Sequence, residues 1–324
     1  MHHAILLACD PGERLRPLTD ERTPTSLLAL GSRRTLLQRS MERLETLIPS
    51  ENLWIIAGPR QHETISEATD KPIHVVESTT VSPLDALREV LSEILGVPRS
   101  DDTSPLILQS ATHVFSPSSG YVEQLAIAIH QVTDDQDPVA IAVRQADGTQ
   151  SPTGIQVWPT RLLQERLVSA KFPDSLSGER MLSDLKKDLP TTAFHDDGWV
   201  HVSDWPDVQR LLAYVEKPWG YERLWALNRH YAGKILFIRA GESLSLQYHH
   251  TKDETIRVSS GRMRFRAGPT AETLEEITLE PGMTYAIPPG VVHQMEALAD
   301  CTVIEVSTPH LTDVVRLEDR YGRS

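Results

Sequence analysis

The sequence predicts an α/β domain with a mostly parallel sheet, followed by an all-β sandwich or barrel. A chain of 324 residues is long for one hydrophobic core and favours two domains. In the first part, apolar strand-like runs alternate with helical patterns, which is typical of a sheet covered by helices on both faces. Beyond about Tyr214, short runs broken by glycine and proline replace those patterns. We therefore predict domains at residues 1–212 and 213–324.

The elements of the first domain follow from short apolar runs and from the spacing of amphipathic helices. The predicted strands are Ala4–Cys9, Leu53–Ala57, Ile73–Val76, Leu106–Gln109 and Val139–Val143. The predicted helices are Arg34–Leu47, Pro83–Leu95, Gly120–Gln131 and Ser177–Leu185. Glycines at close intervals mark the turns of the second domain, namely Gly233, Gly241, Gly261, Gly268, Gly282 and Gly290.

Composition and charge exclude several classes of partner. The formal net charge of −13 disfavours nucleic acid and anionic membranes. The apolar runs are too short to span a bilayer, and no basic segment precedes an apolar run as in a signal peptide. The two cysteines, Cys9 and Cys301, provide neither a disulfide framework nor a cysteine metal site. We therefore expect a cytoplasmic protein with no nucleic-acid or membrane partner.

Side chains that bind metals occur at regular spacing in the second domain. Gln247 and His249 are two residues apart, so on a strand they face the same side. Glu254 begins the next predicted strand, and His293 follows a Pro-Pro-Gly turn. An amide oxygen, a carboxylate and two imidazoles suit one divalent ion, and this donor set does not choose among zinc, iron, manganese, nickel and cobalt, of which we expect zinc. An empty barrel with surface histidines stays open as the other interpretation, and His250 is expected on the opposite face.

The spacing of these residues resembles the two motifs of the cupin family. Gln247, His249 and Glu254 lie between Gly241 and Gly261 in the register of the first motif, with glutamine in the first histidine position. The second motif is matched by Gly282, Pro288, Gly290 and His293. This resemblance implies a double-stranded β-helix, also called a jelly-roll barrel, with Gln247, His249, Glu254 and His293 as metal ligands.

The second domain also resembles the isomerase domain of the bifunctional mannose-1-phosphate guanylyltransferase/mannose-6-phosphate isomerases. The matching segments are Lys217–Glu222, Lys234 and Val315–Arg323. The resemblance implies a small sugar phosphate as substrate. Lys252 and Gln294 replace two arginines of the family, which removes bidentate phosphate donors.

An aldose–ketose isomerase needs a base and partners for the phosphate or oxyanion. We expect Glu296 to be the base, with Lys234, Lys252 and Arg316 as the positive partners; each could instead be a solvated surface charge. Glu296 follows His293 by three residues, so on a regular strand it faces away from the metal unless a bulge or turn intervenes.

The first domain resembles the sugar-phosphate nucleotidyltransferases, a Rossmann-like α/β family with a glycine-rich loop that cradles phosphates. Gly12 and Arg14 match that loop and mark a vestigial nucleotide site. The working residues differ, because Cys9-Asp10 replaces Gly-Gly, Thr25 replaces a lysine, and Thr112 and His201 replace two metal-binding aspartates. Residues 1–212 contain 19 basic and 30 acidic residues, against 13 and 15 in residues 213–324, and this excess of acid disfavours a triphosphate ligand.

We therefore predict a metal-dependent sugar-phosphate isomerase of the cupin fold, fused to an inactive nucleotidyltransferase-like domain and serving polysaccharide precursor synthesis. A homo-oligomer, specifically a dimer, is expected. The alternatives are an active mannose-1-phosphate guanylyltransferase that makes GDP-mannose, a non-catalytic sugar-binding or regulatory cupin, and a redox cupin that uses iron and oxygen.

Overall fold

The computed structural model describes residues 2–58, 60–69, 74–77, 83–96, 103–116, 120–145, 148–169, 178–196 and 198–323. The chain forms two compact units, one of Met1–Glu13 with Thr19–Ser203 and one of Arg14–Leu18 with Asp204–Ser324. Within the described ranges, no helix is both long enough and apolar enough to cross a membrane.

The first unit is built on a seven-stranded sheet with the order β3-β2-β1-β4-β7-β6-β8. Its strands, with the small β5–β9 pair, are β1 His3–Ala8, β2 Leu53–Ala57, β3 His74–Glu77, β4 Pro105–Ser110, β5 His113–Val114, β6 Val139–Arg144, β7 Gln150–Pro159, β8 Thr191–His195 and β9 Val200–His201. The β1, β2, β3 and β4 strands are parallel to one another, as are β6 and β8, and β7 runs antiparallel to both of its neighbours.

Helices cover both faces of this sheet. They are α1 Leu36–Leu44, α2 His62–Ala68, α3 Pro83–Leu95, α4 Tyr121–Asp135, α5 Thr160–Ser169 and α6 Gly178–Leu185. Because side chains alternate along a strand, Leu6 of β1 packs into one core while Ile5 and Leu7 pack into the other. The predicted α/β class is therefore confirmed. The antiparallel β7 strand was not predicted, and Ile73 and Ser177, at the ends of two predicted elements, lie outside the described residues.

The second unit begins with one helix, α7 Trp205–Leu212, and continues as antiparallel strands. The strands are β10 Val215–Lys217, β11 Gly220–Leu227, β12 Ala232–Ile238, β13 Leu246–Tyr248, β14 Glu254–Ser260, β15 Met263–Gly268, β16 Glu275–Leu279, β17 Thr284–Ile287, β18 Val292–Ala297, β19 Cys301–Ser307 and β20 Val315–Glu318. They form a six-stranded sheet, β10-β11-β12-β19-β14-β17, and a five-stranded sheet, β16-β15-β18-β13-β20.

The two sheets of the second unit enclose one apolar core. Phe265 of β15, Met295 of β18 and Val303 of β19 are buried in it together with Trp219. Polar side chains share this interior with the apolar ones, because His293 and Met295 alternate inward along β18 in the same way as Val303 and Glu305 along β19.

Candidate metal centre

Three side chains that could bind a metal converge inside the second unit. His249, Glu254 and His293 are all buried and can each bring one ligand atom within 4.8 Å of the other two. Oε1 of Glu254 lies 3.6 Å from Nε2 of His249 and 3.3 Å from Nε2 of His293.

The sheet register explains why residues far apart in sequence meet here. Gln247 of β13 pairs directly with His293 of β18, and His249 follows immediately after β13. Glu254 is the first residue of β14 in the other sheet, where it pairs with Ile287 and Ser307. The structure therefore brings together the three residues that the sequence predicted as imidazole and carboxylate ligands.

Hydrogen bonds fix the orientation of both imidazole rings. Nδ1 of His249 donates to the backbone carbonyl of Asp313, and Nδ1 of His293 donates to the carbonyl of Val291 at 3.0 Å. Because a carbonyl oxygen only accepts, each bond requires a proton on Nδ1 and leaves a lone pair on Nε2. Within the described part of the chain, Nε2 of His249 is buried without a hydrogen-bond partner, since 3.6 Å to Glu254 is too long. This donor set fits a divalent ion.

Gln247 lies beside the two histidines, as predicted for the fourth ligand. Its Nε2 is 3.5 Å from Nε2 of His293, and its Oε1 accepts a hydrogen bond from the Ser245 hydroxyl at 2.7 Å. Exchanging the amide oxygen and nitrogen by rotation would turn the oxygen toward His293, and Ser245 could then accept the amide N–H. Gln247 is thus placed to offer an oxygen ligand.

Lys252 is buried against the same carboxylate. Its Nζ donates to Glu254 Oε2, and it donates to Glu305 Oε1 at 2.7 Å. Burial alone would raise the pKa of Glu254, but the Lys252 ammonium opposes burial, and the pKa of Glu254 lies well below its usual range. Burial would also lower the pKa of Lys252, and Glu305 and Glu254 raise it instead. Glu254 therefore keeps its negative charge.

The remaining pocket wall is strongly charged. Lys234 and Lys217 approach Oε2 of Glu222 at 3.8 and 3.5 Å, and with burial opposing them they hold the pKa of Glu222 below its ordinary value. Arg316 of β20 pairs with Gln247 of β13 and also lines the pocket. Lys234, Lys252 and Arg316, the three positive partners expected from the sequence, therefore line one pocket together with Gln247, His249 and Glu254.

Glu296 does not lie with these residues, which corrects the expectation that it faces the ion. The β18 strand is regular from Val292 to Ala297, so Glu296, three positions after His293, points to the other face. There its carboxylate accepts from Arg264 at 3.0 Å, across the β15–β18 pair. No bulge lies between His293 and Glu296 in this described strand. Glu296 therefore does not face the candidate metal site, as a base acting there would have to.

Two residues in or next to the site, Glu305 and Asp313, were missed by the sequence analysis. Glu305 of β19 faces the interior and is 5% exposed. Strand alternation could have identified it, because Cys301 and Val303 precede it at the same spacing. Asp313 lies in the segment between β19 and β20, where its carboxylate accepts the backbone N–H groups of His250, Thr251 and Lys252. Nothing in the sequence pattern indicated that contact.

The loop around Gly12 in the first unit is filled by its own side chains. Asp10 accepts the Gly12 N–H at 3.0 Å and the Thr25 hydroxyl at 3.1 Å. Gly12 has a φ of +67°, and a Cβ there would lie 2.6 Å from the Thr25 oxygen, so the loop requires glycine. Arg14 is exposed on the short helical turn Glu13–Leu15 that follows.

Thr112 and His201, where the family resemblance implies metal-binding aspartates, both lie in the first unit. The Thr112 hydroxyl is buried and hydrogen-bonded to Ser110 at 2.8 Å. His201 of β9 pairs with His113 of β5, with ring centroids 4.7 Å apart. Burial, together with His201 and Arg43, holds the pKa of His113 well below its usual range, so His113 is neutral.

Comparisons with known proteins agree with both folds. Residues 207–319 match the family described as mannose-6-phosphate isomerase C-terminal. The xanthan biosynthesis protein XanB of Xanthomonas campestris is 33% identical over 117 residues, which is 34% of this chain and 24% of that protein. The mannose-1-phosphate guanylyltransferase ManC of Salmonella typhimurium is 36% identical over 115 residues, 34% of this chain and 23% of that protein. The chain thus matches about a quarter of the length of these relatives.

A solved structure extends the likeness to the first unit. The protein titled mannose-1-phosphate geranyltransferase from Thermus thermophilus aligns with a TM-score of 0.51 and 17% identity, covering 67% of this chain and 80% of that one. The fold is therefore a nucleotidyltransferase-like α/β unit followed by a cupin barrel. The resemblance of the second unit to the bifunctional family is confirmed by the match of residues 207–319 and by the identity to XanB and ManC.

Proposed function

We propose that the second unit is a metal-dependent sugar-phosphate isomerase of the mannose-6-phosphate type, acting in polysaccharide precursor synthesis. The observation that carries this proposal is the convergence of two oriented Nε2 atoms on the Glu254 carboxylate inside a charged pocket. Gln247, His249, Glu254 and His293 would hold the ion, with zinc as the first choice. Such an ion polarises a carbonyl oxygen of the substrate.

The charge of the pocket supports a phosphate-bearing substrate. Three carboxylates line it, and they are outnumbered by five cationic side chains, namely Lys217, Lys234, Lys252, Arg316 and Arg323. A divalent ion would add two further positive charges. A phosphate dianion would be attracted to this excess of positive charge, whereas a neutral sugar would gain much less.

Metal content tests the ligand set. Elemental analysis of the purified full chain should give one divalent ion, and His249→Ala and His293→Ala should lose it. His250→Ala is a matched control, because His250 is the exposed neighbour of His249. Equal metal content in the wild type and in His293→Ala would reject the ligand assignment.

The reaction is tested with mannose 6-phosphate and fructose 6-phosphate as the first pair. Metal-replete protein in deuterium oxide should interconvert them and place solvent deuterium at C2 of the aldose and at C1 of the ketose. Absence of both interconversion and exchange, for this pair and for a panel of other hexose and pentose phosphates, would reject isomerisation.

We further propose that the first unit does not make a nucleotide sugar. The Asp10 carboxylate already accepts the backbone N–H of Gly12 in this loop. An acidic side chain at that position repels a triphosphate. Thr112 and His201 provide no carboxylate for a catalytic metal. Incubation with GTP and mannose 1-phosphate should release no pyrophosphate. Release that Arg14→Ala abolishes would instead establish an active guanylyltransferase.

The contacts of Glu296 and Lys252 favour a second candidate function, that of a non-catalytic sugar-phosphate-binding protein. Glu296 is turned away to Arg264, and Lys252 replaces an arginine of the family while bonding to the ligand carboxylate. Calorimetric binding of mannose 6-phosphate without deuterium exchange would select this candidate. A cytoplasmic location and a homodimeric state remain predictions, the second testable by light scattering.

A further inference from the structure

We propose that Glu305 is the carboxylate that carries the proton between the two carbons of the substrate. This assignment rests on the proposed isomerase function. It supplies the base that the reaction needs, because Glu296 points away from the pocket. Three carboxylates line the pocket among the described residues. Glu254 faces the two imidazoles, and Glu222 is held between Lys217 and Lys234. Glu305 is the remaining carboxylate of these three, and it takes part neither in the proposed metal centre nor in the ion pairs of Glu222.

The position of Glu305 in the sheet directs its side chain into the barrel. It pairs with Ile256 of β14 on one side and with Lys234 of β12 on the other. Glu254 pairs with Ser307, two residues along β19, so the two carboxylates are diagonal neighbours on the inner face. A carboxylate in this interior is costly unless it is paired, and the Lys252 ammonium provides that pairing.

Lys252 connects Glu305 to the metal ligands. Its ammonium group has three N–H donors, and Glu254 and Glu305 accept two of them. The third donor is available for a substrate oxygen in the pocket. A substrate whose carbonyl oxygen approaches Lys252 would therefore place its adjacent carbon beside Glu305.

The proposed proton transfer balances without an added reactant. Starting from the aldose, a Glu305 oxygen takes the proton from C2, the C2–H electron pair becomes the C1=C2 bond, and the carbonyl π pair moves to O1. The O2–H proton passes to O1, while the Lys252 ammonium stays protonated and donates a hydrogen bond to O1. The O2 electron pair then forms C2=O2, and the C1=C2 pair takes the proton from Glu305 at C1, which leaves the ketose.

The test compares Glu305→Gln with the wild type and with Glu296→Gln as a matched control. Glu296 undergoes the same isosteric change but lies outside the pocket. We expect Glu305→Gln to lower kcat and deuterium exchange by about 100-fold or more, with metal content unchanged and KM within about threefold. We expect Glu296→Gln to stay within about twofold of the wild type.

A second variant separates proton transfer from a structural role. Glu305→Asp keeps the charge that faces Lys252 but withdraws the carboxylate by one methylene, so the protein should fold and bind metal while kcat falls at least about tenfold. Near-wild-type kcat in either Glu305 variant, or loss of bound metal in Glu305→Gln, would overturn the assignment. A wild type that neither isomerises nor exchanges deuterium would overturn the isomerase function as well.

Discussion

The backbone carbonyl of Asp313 accepts the Nδ1 proton of His249, while its carboxylate accepts the N–H groups of the three residues that follow His249. Burial would raise the pKa of Asp313, but these backbone donors lower it instead. One residue thus sets the ring orientation of one ligand and the path of the chain toward the next ligand, Glu254.

We predict that Asp313→Ala lowers metal affinity by about 10- to 100-fold, the usual effect of losing a group that orients ligands. The carbonyl remains in this variant, but the loop over residues 250–252 loses its acceptors. Competition with a chelator of known affinity measures the change. Asp253→Ala, an exposed neighbour, should bind metal as the wild type does. Equal affinities in all three proteins would contradict the prediction.

Lys252→Met should destabilise the metal-free second unit by about 3–5 kcal/mol, because it leaves the Glu254 and Glu305 carboxylates buried without their cation. Hydrogen exchange of the β14 and β19 amides reports the local free energy of opening. Bound metal should recover part of the loss by neutralising Glu254. Arg320→Met, at an exposed ion pair with Glu242, should change stability by less than about 1 kcal/mol.

Removing the metal should leave the second unit folded. Its apolar core around Phe265 does not include the ligands, and Lys252 supplies Glu254 with an internal cation. Circular dichroism of chelator-treated protein should therefore keep the β-sheet signal. Adding zinc at about 100 times its Kd should stabilise the protein by about 2.7 kcal/mol, and His249→Ala should lack this gain. Unfolding on chelation would show that the ion is part of the fold.

The first unit should lose stability as the pH falls below about 6.5, because His113 is buried and neutral. Its folded pKa lies below the unfolded value, so the unfolded chain binds the proton first and stability rises with pH through this window. At pH 5.5 the loss should be about 1.4 kcal/mol relative to pH 7.5. His113→Phe removes the titrating ring, so the pH dependence of denaturant unfolding should be weaker by that amount. Identical slopes in the two proteins would refute this.

Local spacing made the convergence of His249, Glu254 and His293 predictable. Gln247 and His249 share one strand segment, and two short motifs define the positions of Glu254 and His293. Strand alternation also foretold the weakness of Glu296 as a base, since three residues of regular strand reverse the direction of a side chain. Glu305 obeys the same rule, but no motif singles it out from the apolar run in which it lies.

Features that depend on contacts between residues far apart in the sequence could not be predicted. Asp313 contacts a loop more than 60 positions earlier in the chain, and such a contact has no local signature. The β7 strand was missed because Pro152 and Gly154 interrupt its apolar pattern. The structure accommodates both at an irregularity in the β6–β7 register, where Ala140 pairs with Gln156 and Ala142 with Pro152.

The carboxylate that closes the loop at Gly12 has a consequence for how the protein would behave in a living cell. A domain stabilised by a diffusible ligand gains or loses folded population as the concentration of that ligand changes. Here the acceptor for the loop is covalently part of the chain, so its effective concentration never varies. We expect the folded fraction of the first unit to depend little on the concentration of free nucleotide, because the chain itself supplies this acceptor.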